Sequence, residues 1–121
     1  MSTCLLIEDD EMFRAMIKRE VRNIWEDTIL APETMEDLLD DLEHDGPFDL
    51  VLVDFSLWDG VRCTEPSLSE KIKGRLTQSS RLVCISGDER VVPEMEQAFE
   101  LPVIFGGKRD MCKLRQTLAE L

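Results

Sequence analysis

The chain is short of positive charge. Its 121 residues carry 14 lysines and arginines against 26 acids, a formal net charge of −12. No basic residue falls between Arg22 and Arg62, an interval that holds twelve acids from Glu26 to Asp59. A chain of that sign is repelled by phosphate backbones and by anionic lipid, which argues against nucleic acid and membrane as direct partners. Long apolar runs are also missing, and none approaches the roughly 18–20 residues needed to cross a bilayer. The opening Met1-Ser2-Thr3-Cys4-Leu5-Leu6-Ile7 has neither the basic start nor the cleavage site of a secretory signal. A cytoplasmic location is therefore expected. Four cysteines, Cys4, Cys63, Cys84 and Cys112, form no C-x-x-C pair, and His44 is the single histidine, so close-spaced zinc ligands are lacking. Cys4 and Cys84 stand inside apolar runs and read as small buried hydrophobes. Repeats, low-complexity tracts and linkers are absent. The length suits one domain spanning 1–121, with no output domain in this chain.

What is present is an apolar content of 43%, enough for a core. Five short apolar runs recur at Cys4–Ile7, Thr28–Ala31, Leu50–Val53, Leu82–Ile85 and Val103–Phe105. Each is apolar at consecutive rather than alternate positions, the pattern of strands buried on both faces of a parallel sheet. Helical stripes lie between them: Phe13, Met16, Ile17, Val21 and Ile24; Met35, Leu38, Leu39 and Leu42; Leu68, Ile72 and Leu76; Val92, Met95 and Phe99; Met111, Leu114, Leu118 and Leu121. Strand and helix alternate five times. That predicts an α/β domain, doubly wound, with a five-stranded parallel sheet and five helices.

Open parallel sheets bind ligands beyond the carboxyl ends of their strands. After the first run come Glu8, Asp9 and Asp10; the third ends in Asp54; the fourth leads to Ser86 and Gly87; the fifth leads to Gly106, Gly107 and Lys108. Carboxylates gathered at one edge repel one another, and Mg²⁺ bound through a few of them plus water removes that penalty. With the cation bound, Asp54 can act as a nucleophile toward a phosphoryl group. Mg²⁺, Lys108 and the Ser86 hydroxyl would each neutralise or hydrogen-bond one phosphoryl oxygen.

The runs Leu6-Ile7-Glu8-Asp9-Asp10-Glu11, Leu50-Val51-Leu52-Val53-Asp54, Val83-Cys84-Ile85-Ser86-Gly87 and Phe105-Gly106-Gly107-Lys108 resemble the receiver domain of two-component response regulators. The resemblance covers the whole chain, and the four motifs occur in the family's order. It implies a flavodoxin-like fold of the CheY type. It further implies Asp54 as phosphoacceptor, a Mg²⁺ site of Glu8, Asp9, Asp54 and the Ser56 backbone carbonyl, and Ser86 and Phe105 as switch residues. Gly87 matches the small residue giving the phosphoryl group room, and Lys108 the lysine. Asp10 falls just outside the acidic pair, and a one-residue slip would exchange it with Glu8. A histidine kinase or phosphotransfer protein is the implied phosphodonor. A downstream protein is the implied target, bound through the fourth helix, fifth strand and fifth helix.

Two departures stand out. The loop Asp54-Phe55-Ser56-Leu57-Trp58-Asp59-Gly60 lacks the family's proline and reaches Asp-Gly about two residues early. Arg109 replaces the proline that usually follows the lysine in a cis peptide. A cis bond before a non-proline residue costs about 2.5–4 kcal/mol, so a trans peptide or rearranged turn is expected, with Gly106-Gly107 supplying freedom. Trp58 reads either as cover for the sheet edge or as a lid. Arg109, Lys113 and Arg115 make a locally basic segment that could support self-association or an acidic partner. The alternative readings are a pseudo-receiver acting as a phosphorylation-independent module and, less favoured, an aspartyl phosphatase. The latter would need a second aspartate at position 56, which is serine.

Overall fold

In the computed structural model, which describes residues 3–121, five parallel strands form one sheet in the order β2-β1-β3-β4-β5. The strands are β1 (Thr3–Ile7), β2 (Thr28–Leu30), β3 (Leu50–Val53), β4 (Arg81–Cys84) and β5 (Val103–Phe105). Five helices alternate with them: α1 (Glu11–Arg22), α2 (Met35–His44), α3 (Pro66–Lys73), α4 (Val92–Phe99) and α5 (Met111–Ala119). Each expected strand is present within about a residue or two of its apolar run.

Consecutive apolar residues within a strand serve opposite layers. Leu5, Ile7, Val51, Val53, Leu82 and Cys84 enter a core with Leu38, Leu42, Leu68, Ile72, Met95 and Phe99 of α2, α3 and α4. Cys4, Leu6, Leu50, Leu52 and Val83 enter a second core with Ile17, Val21, Leu114 and Leu118 of α1 and α5. Burying a Leu- or Ile-sized side chain contributes about 1.5–3 kcal/mol, so the central strands gain on both faces. The helical stripes are narrower than their sequence pattern. Met16, Leu39 and Ile24 are substantially exposed, while Arg14 is buried on α1 instead. Helix α3 ends at Lys73, before Leu76, which still packs on the core.

The helix starts are set by short-range chemistry. Asp10 accepts from Phe13 N at the start of α1, Thr34 from Asp37 N at α2, and Asp110 from Cys112 N and Lys113 N at α5. Pro66 and Pro93 occupy first-turn positions, where a missing N–H is harmless. Helix α2 carries acids almost throughout, and a cation from elsewhere meets its C-terminal end. Arg75 Nε and Nη2 donate to the carbonyls of Leu42 and Glu43, each at 2.6 Å.

Two measurements test this packing. Burial raises the thiols of Cys4 and Cys63 to about 12 and that of Cys84 to about 11, whereas Cys112 is exposed. A thiol reagent near pH 8 should titrate one cysteine promptly in the native chain and four in denaturant; fast labelling of Cys4 or Cys84 would contradict the double-layer core. On α2, partial burial, followed by the charges of Asp45, Asp40 and Asp37, raises the Asp41 carboxyl above its usual value. A raised acid penalises the folded state at neutral pH, and that penalty fades as pH falls through the folded pKa. Asp41→Asn should therefore raise the melting temperature at neutral pH by a degree or more, with the gain vanishing below the unperturbed value of 3.8.

Candidate functional site

The strand order reverses between β1 and β3, and several of the residues expected to form a site lie at that crevice. β1 and β3 pair in parallel with Ile7 opposite Val53, which brings the residues following each strand side by side. Asp54 N donates to the Ile7 carbonyl at 3.0 Å, continuing the ladder by one bond. Carboxylate oxygens of Glu8, Asp9 and Asp54 consequently lie within 4.8 Å of one another.

Lys108 reaches this cluster from the far side of the sheet. Its Nζ donates to Glu8 Oε1 at 2.8 Å and to Asp54 Oδ2 at 2.9 Å. Two glycines direct it there. A Cβ at Gly106 would lie 2.8 Å from Val83 Cγ1 and 2.9 Å from Leu114 Cδ1, so only glycine lets the chain pass between β4 and α5. Gly107 follows with φ of 78°, a left-handed conformation that side chains resist. Among the described residues the single cis peptide is Gly46-Pro47, so the Lys108-Arg109 bond is trans. The Phe13 ring lies 4.9 Å below Lys108 Nζ and holds the ammonium in place by cation–π attraction.

Glu8 is fully buried. Burial drives its carboxyl up to about 7, helped by the Asp54 charge, while hydrogen bonds from Lys108 and Asp10 N pull it back. Burial acts to lower the Lys108 ammonium, but its bonds to Glu8 and Asp54 prevail and raise it. One lysine is shared by two buried carboxylates, and Glu8 Oε2 is buried with no hydrogen-bond partner. Three carboxylates gathered this closely, one of them with an oxygen that no donor meets, form a donor set suited to a hard divalent cation such as Mg²⁺.

The other expected residues are placed with different degrees of involvement. Ser86 is buried, and its Oγ accepts from Asp88 N at 3.2 Å, leaving the hydroxyl hydrogen available to donate. Ser56 forms an isolated bridge with Arg62, and among the described residues its carbonyl accepts no hydrogen bond. Phe105 is half-buried with Lys113 Nζ 4.7 Å above its ring. Asp10 does not join the cluster: its carboxylate caps α1. Trp58 is held from below and from the side. Its ring packs on the core of α2 to α4, and its Nε1 donates to the Glu33 carbonyl at 3.1 Å. The shortened loop closes as a tight 3₁₀ turn with Asp59 at φ 57° and Gly60 at φ 72°.

Arg14 is a residue beside the candidate site that the stripe pattern hid. Buried on α1, it donates from Nη1 to the Glu8 carbonyl at 3.1 Å, behind the acidic pair. Nothing in its spacing distinguishes it from a solvated arginine. The basic segment is also mostly engaged within the chain. Arg115 makes a two-pronged pair with Glu20 at 2.8 Å, and Lys113 lies over Phe105.

Removing the lysine charge should expose the repulsion it masks. Lys108→Met is expected to lower folding stability by about 3 kcal/mol, because it strands two buried carboxylates. Glu8→Gln in the same chain should recover much of that loss in denaturant titrations; a loss unchanged by Glu8→Gln would mean the lysine acts through packing alone.

No family profile matches the chain, and no curated protein matches it in sequence. Solved structures do. The chain is similar to the signal receiver domain of a DNA-binding response regulator from Colwellia psychrerythraea 34H, at 20% identity and a TM-score of 0.73, covering 99% of this chain and 97% of that one. It is similar to a CheY-like receiver domain from Methylobacillus flagellatus at 21% identity and TM-score 0.67, covering 99% and 98%. The N-terminal domain of a response regulator/sensory box/GGDEF protein from Carboxydothermus hydrogenoformans matches at 18% and 0.67, covering 98% and 91%. A de novo designed Rossmann 2x3 protein also matches, at 15% and 0.61, so the likeness concerns backbone architecture. The architecture of this chain is that of the response-regulator receiver domain.

Proposed function

We propose that the chain is a phosphoacceptor receiver of a two-component or phosphorelay system, phosphorylated on Asp54. The observation that carries this reading is the Lys108 bridge between Glu8 and Asp54 beside an orphaned Glu8 oxygen. Buried carboxylate oxygens are seldom left unpaired, and an ion held beside one is an explanation for it.

In this reading Glu8, Asp9, Asp54 and the Ser56 carbonyl hold Mg²⁺, which supplies charge neutralisation to the phosphoryl oxygens. A carboxylate oxygen of Asp54 attacks the phosphorus of a phosphohistidine on a histidine kinase or phosphotransfer protein. The new P–O bond forms as the donor's P–N bond breaks, and the imidazole nitrogen keeps the electron pair. Lys108 moves its ammonium from the Asp54 carboxylate to a phosphoryl oxygen, and the Ser86 hydroxyl donates to another. Water later cleaves the acyl phosphate and releases inorganic phosphate. The chain turns over its own phosphoryl group but works as a cytoplasmic signalling protein rather than as an enzyme on an external substrate.

Movement of Ser86 toward the phosphoryl group draws the β4–α4 connection with it. Phe105, at the end of the adjacent strand, is the aromatic side chain that would follow. The surface built by α4, β5 and α5 would then be read by a downstream protein or by a second copy of the chain.

Acetyl phosphate with Mg²⁺ should add one phosphoryl group to the intact mass, a gain absent when Mg²⁺ is chelated beforehand and absent in Asp54→Asn. The tight turn at Asp59-Gly60 favours a second reading, a module that binds its partner without phosphorylation. Unchanged mass and no response to beryllofluoride would support that module. Multiple turnover of small phosphomonoesters would instead indicate a phosphatase.

A further inference from the structure

Among the basic side chains from Lys108 to Arg115, three are engaged within the chain. Lys108 is shared by Glu8 and Asp54, Lys113 lies over Phe105, and Arg115 is forked onto Glu20. Arg109 makes no hydrogen bond or ion pair among the described residues, in a chain with 26 acids. Its guanidinium is nonetheless placed. A Cβ built on Gly87 would lie 3.2 Å from Arg109 Nε, 3.7 Å from Cζ and 3.8 Å from Nη2. The side chain therefore spans from the connection after β5 to the connection after β4, and lies across the residue next to Ser86. It occupies the space that a glycine at 87 leaves open.

We propose that Arg109 is a phosphoryl-binding residue of this chain, a second cation that closes over Gly87 onto the outer phosphoryl oxygens of phosphorylated Asp54. This rests on the receiver reading of Asp54. The single lysine is already divided between two carboxylates, so a phosphoryl group arriving with two negative charges enlarges an anionic excess. A planar guanidinium donates two parallel N–H groups to phosphate oxygens, which an ammonium cannot. Because Arg109 has no carboxylate to leave, its approach breaks no ion pair. Once seated, it screens the acyl phosphate from water on the Gly87 side and draws in small anionic phosphodonors.

The glycine and the arginine form a pair that can be tested together. Arg109→Gln should raise the half-saturating concentrations of acetyl phosphate and beryllofluoride by about three- to tenfold, and shorten the phosphoryl lifetime by a similar factor, as suits one partly exposed charge-assisted contact. Arg109→Lys should recover only part of the loss. Gly87→Ala, whose methyl displaces the guanidinium, should resemble Arg109→Gln and add little in the double variant. Raised salt should weaken donor use by the wild type more than by Arg109→Gln. The Arg109 Nε–H resonance of the wild type should shift on adding beryllofluoride with Mg²⁺. Arg109 is exposed, so melting temperatures should agree and exclude misfolding. Wild-type phosphorylation with lifetime and donor affinity unchanged in Arg109→Gln overturns the role of Arg109 and leaves Asp54 standing. A wild-type chain that takes up no phosphoryl group overturns both.

Discussion

A single ammonium, that of Lys108, holds the candidate site together. It draws the ends of β1, β3 and β5 toward one point, because its two acceptors follow the first two strands and it follows the last. Three carboxylates within 4.8 Å of one another would otherwise repel in surroundings where one of them, Glu8, is sealed from water. The arrangement is strained electrostatically and sound geometrically. The lysine balances part of the charge, and the remainder is spread over the three carboxylates, one of which keeps an oxygen that no donor meets.

The rest of the molecule can be understood as support for that balance. Strands apolar on both faces give a rigid sheet whose edge residues cannot retreat into solvent. Gly106 lets the chain cross tightly between Val83 and Leu114, Gly107 turns it, and Phe13 lies beneath the ammonium. Arg14 anchors the main chain of Glu8 from behind. These contacts come from helices α1 and α5 on one layer, while α2, α3 and α4 form the other.

Much of this could be read from the residues. Runs of four apolar residues without alternation required burial on both sides, and the alternation of strand and helix required parallel pairing. The position of Asp54, Ser86 and Lys108 immediately after strands placed them at one edge. The helical faces were less legible. Met16 and Leu39 fit an apolar stripe by spacing, yet each lies at its margin, where rotation of a short helix on the sheet decides burial. Arg14 was invisible for the opposite reason: a charged residue at a core-facing position is explained only by the carbonyl it meets. Asp10 and Asp9 differ in role by one residue, and only cap geometry separates them. The posture of Arg109 depended on the absence of a side chain at Gly87, far away in the sequence.

The fastening of α2 by Arg75 has a consequence for how copies of the chain approach one another. With its C-terminal carbonyls met by that guanidinium, the helix needs no cation on its outer surface. Glu33, Glu36, Asp37, Asp40 and Glu43 all face solvent there. With no basic residue between Arg22 and Arg62, these exposed acids make the α2 side a strongly negative face. Diffusing molecules will turn their α2 faces away from each other before contact, so collisions that last will be those made through the remaining surface.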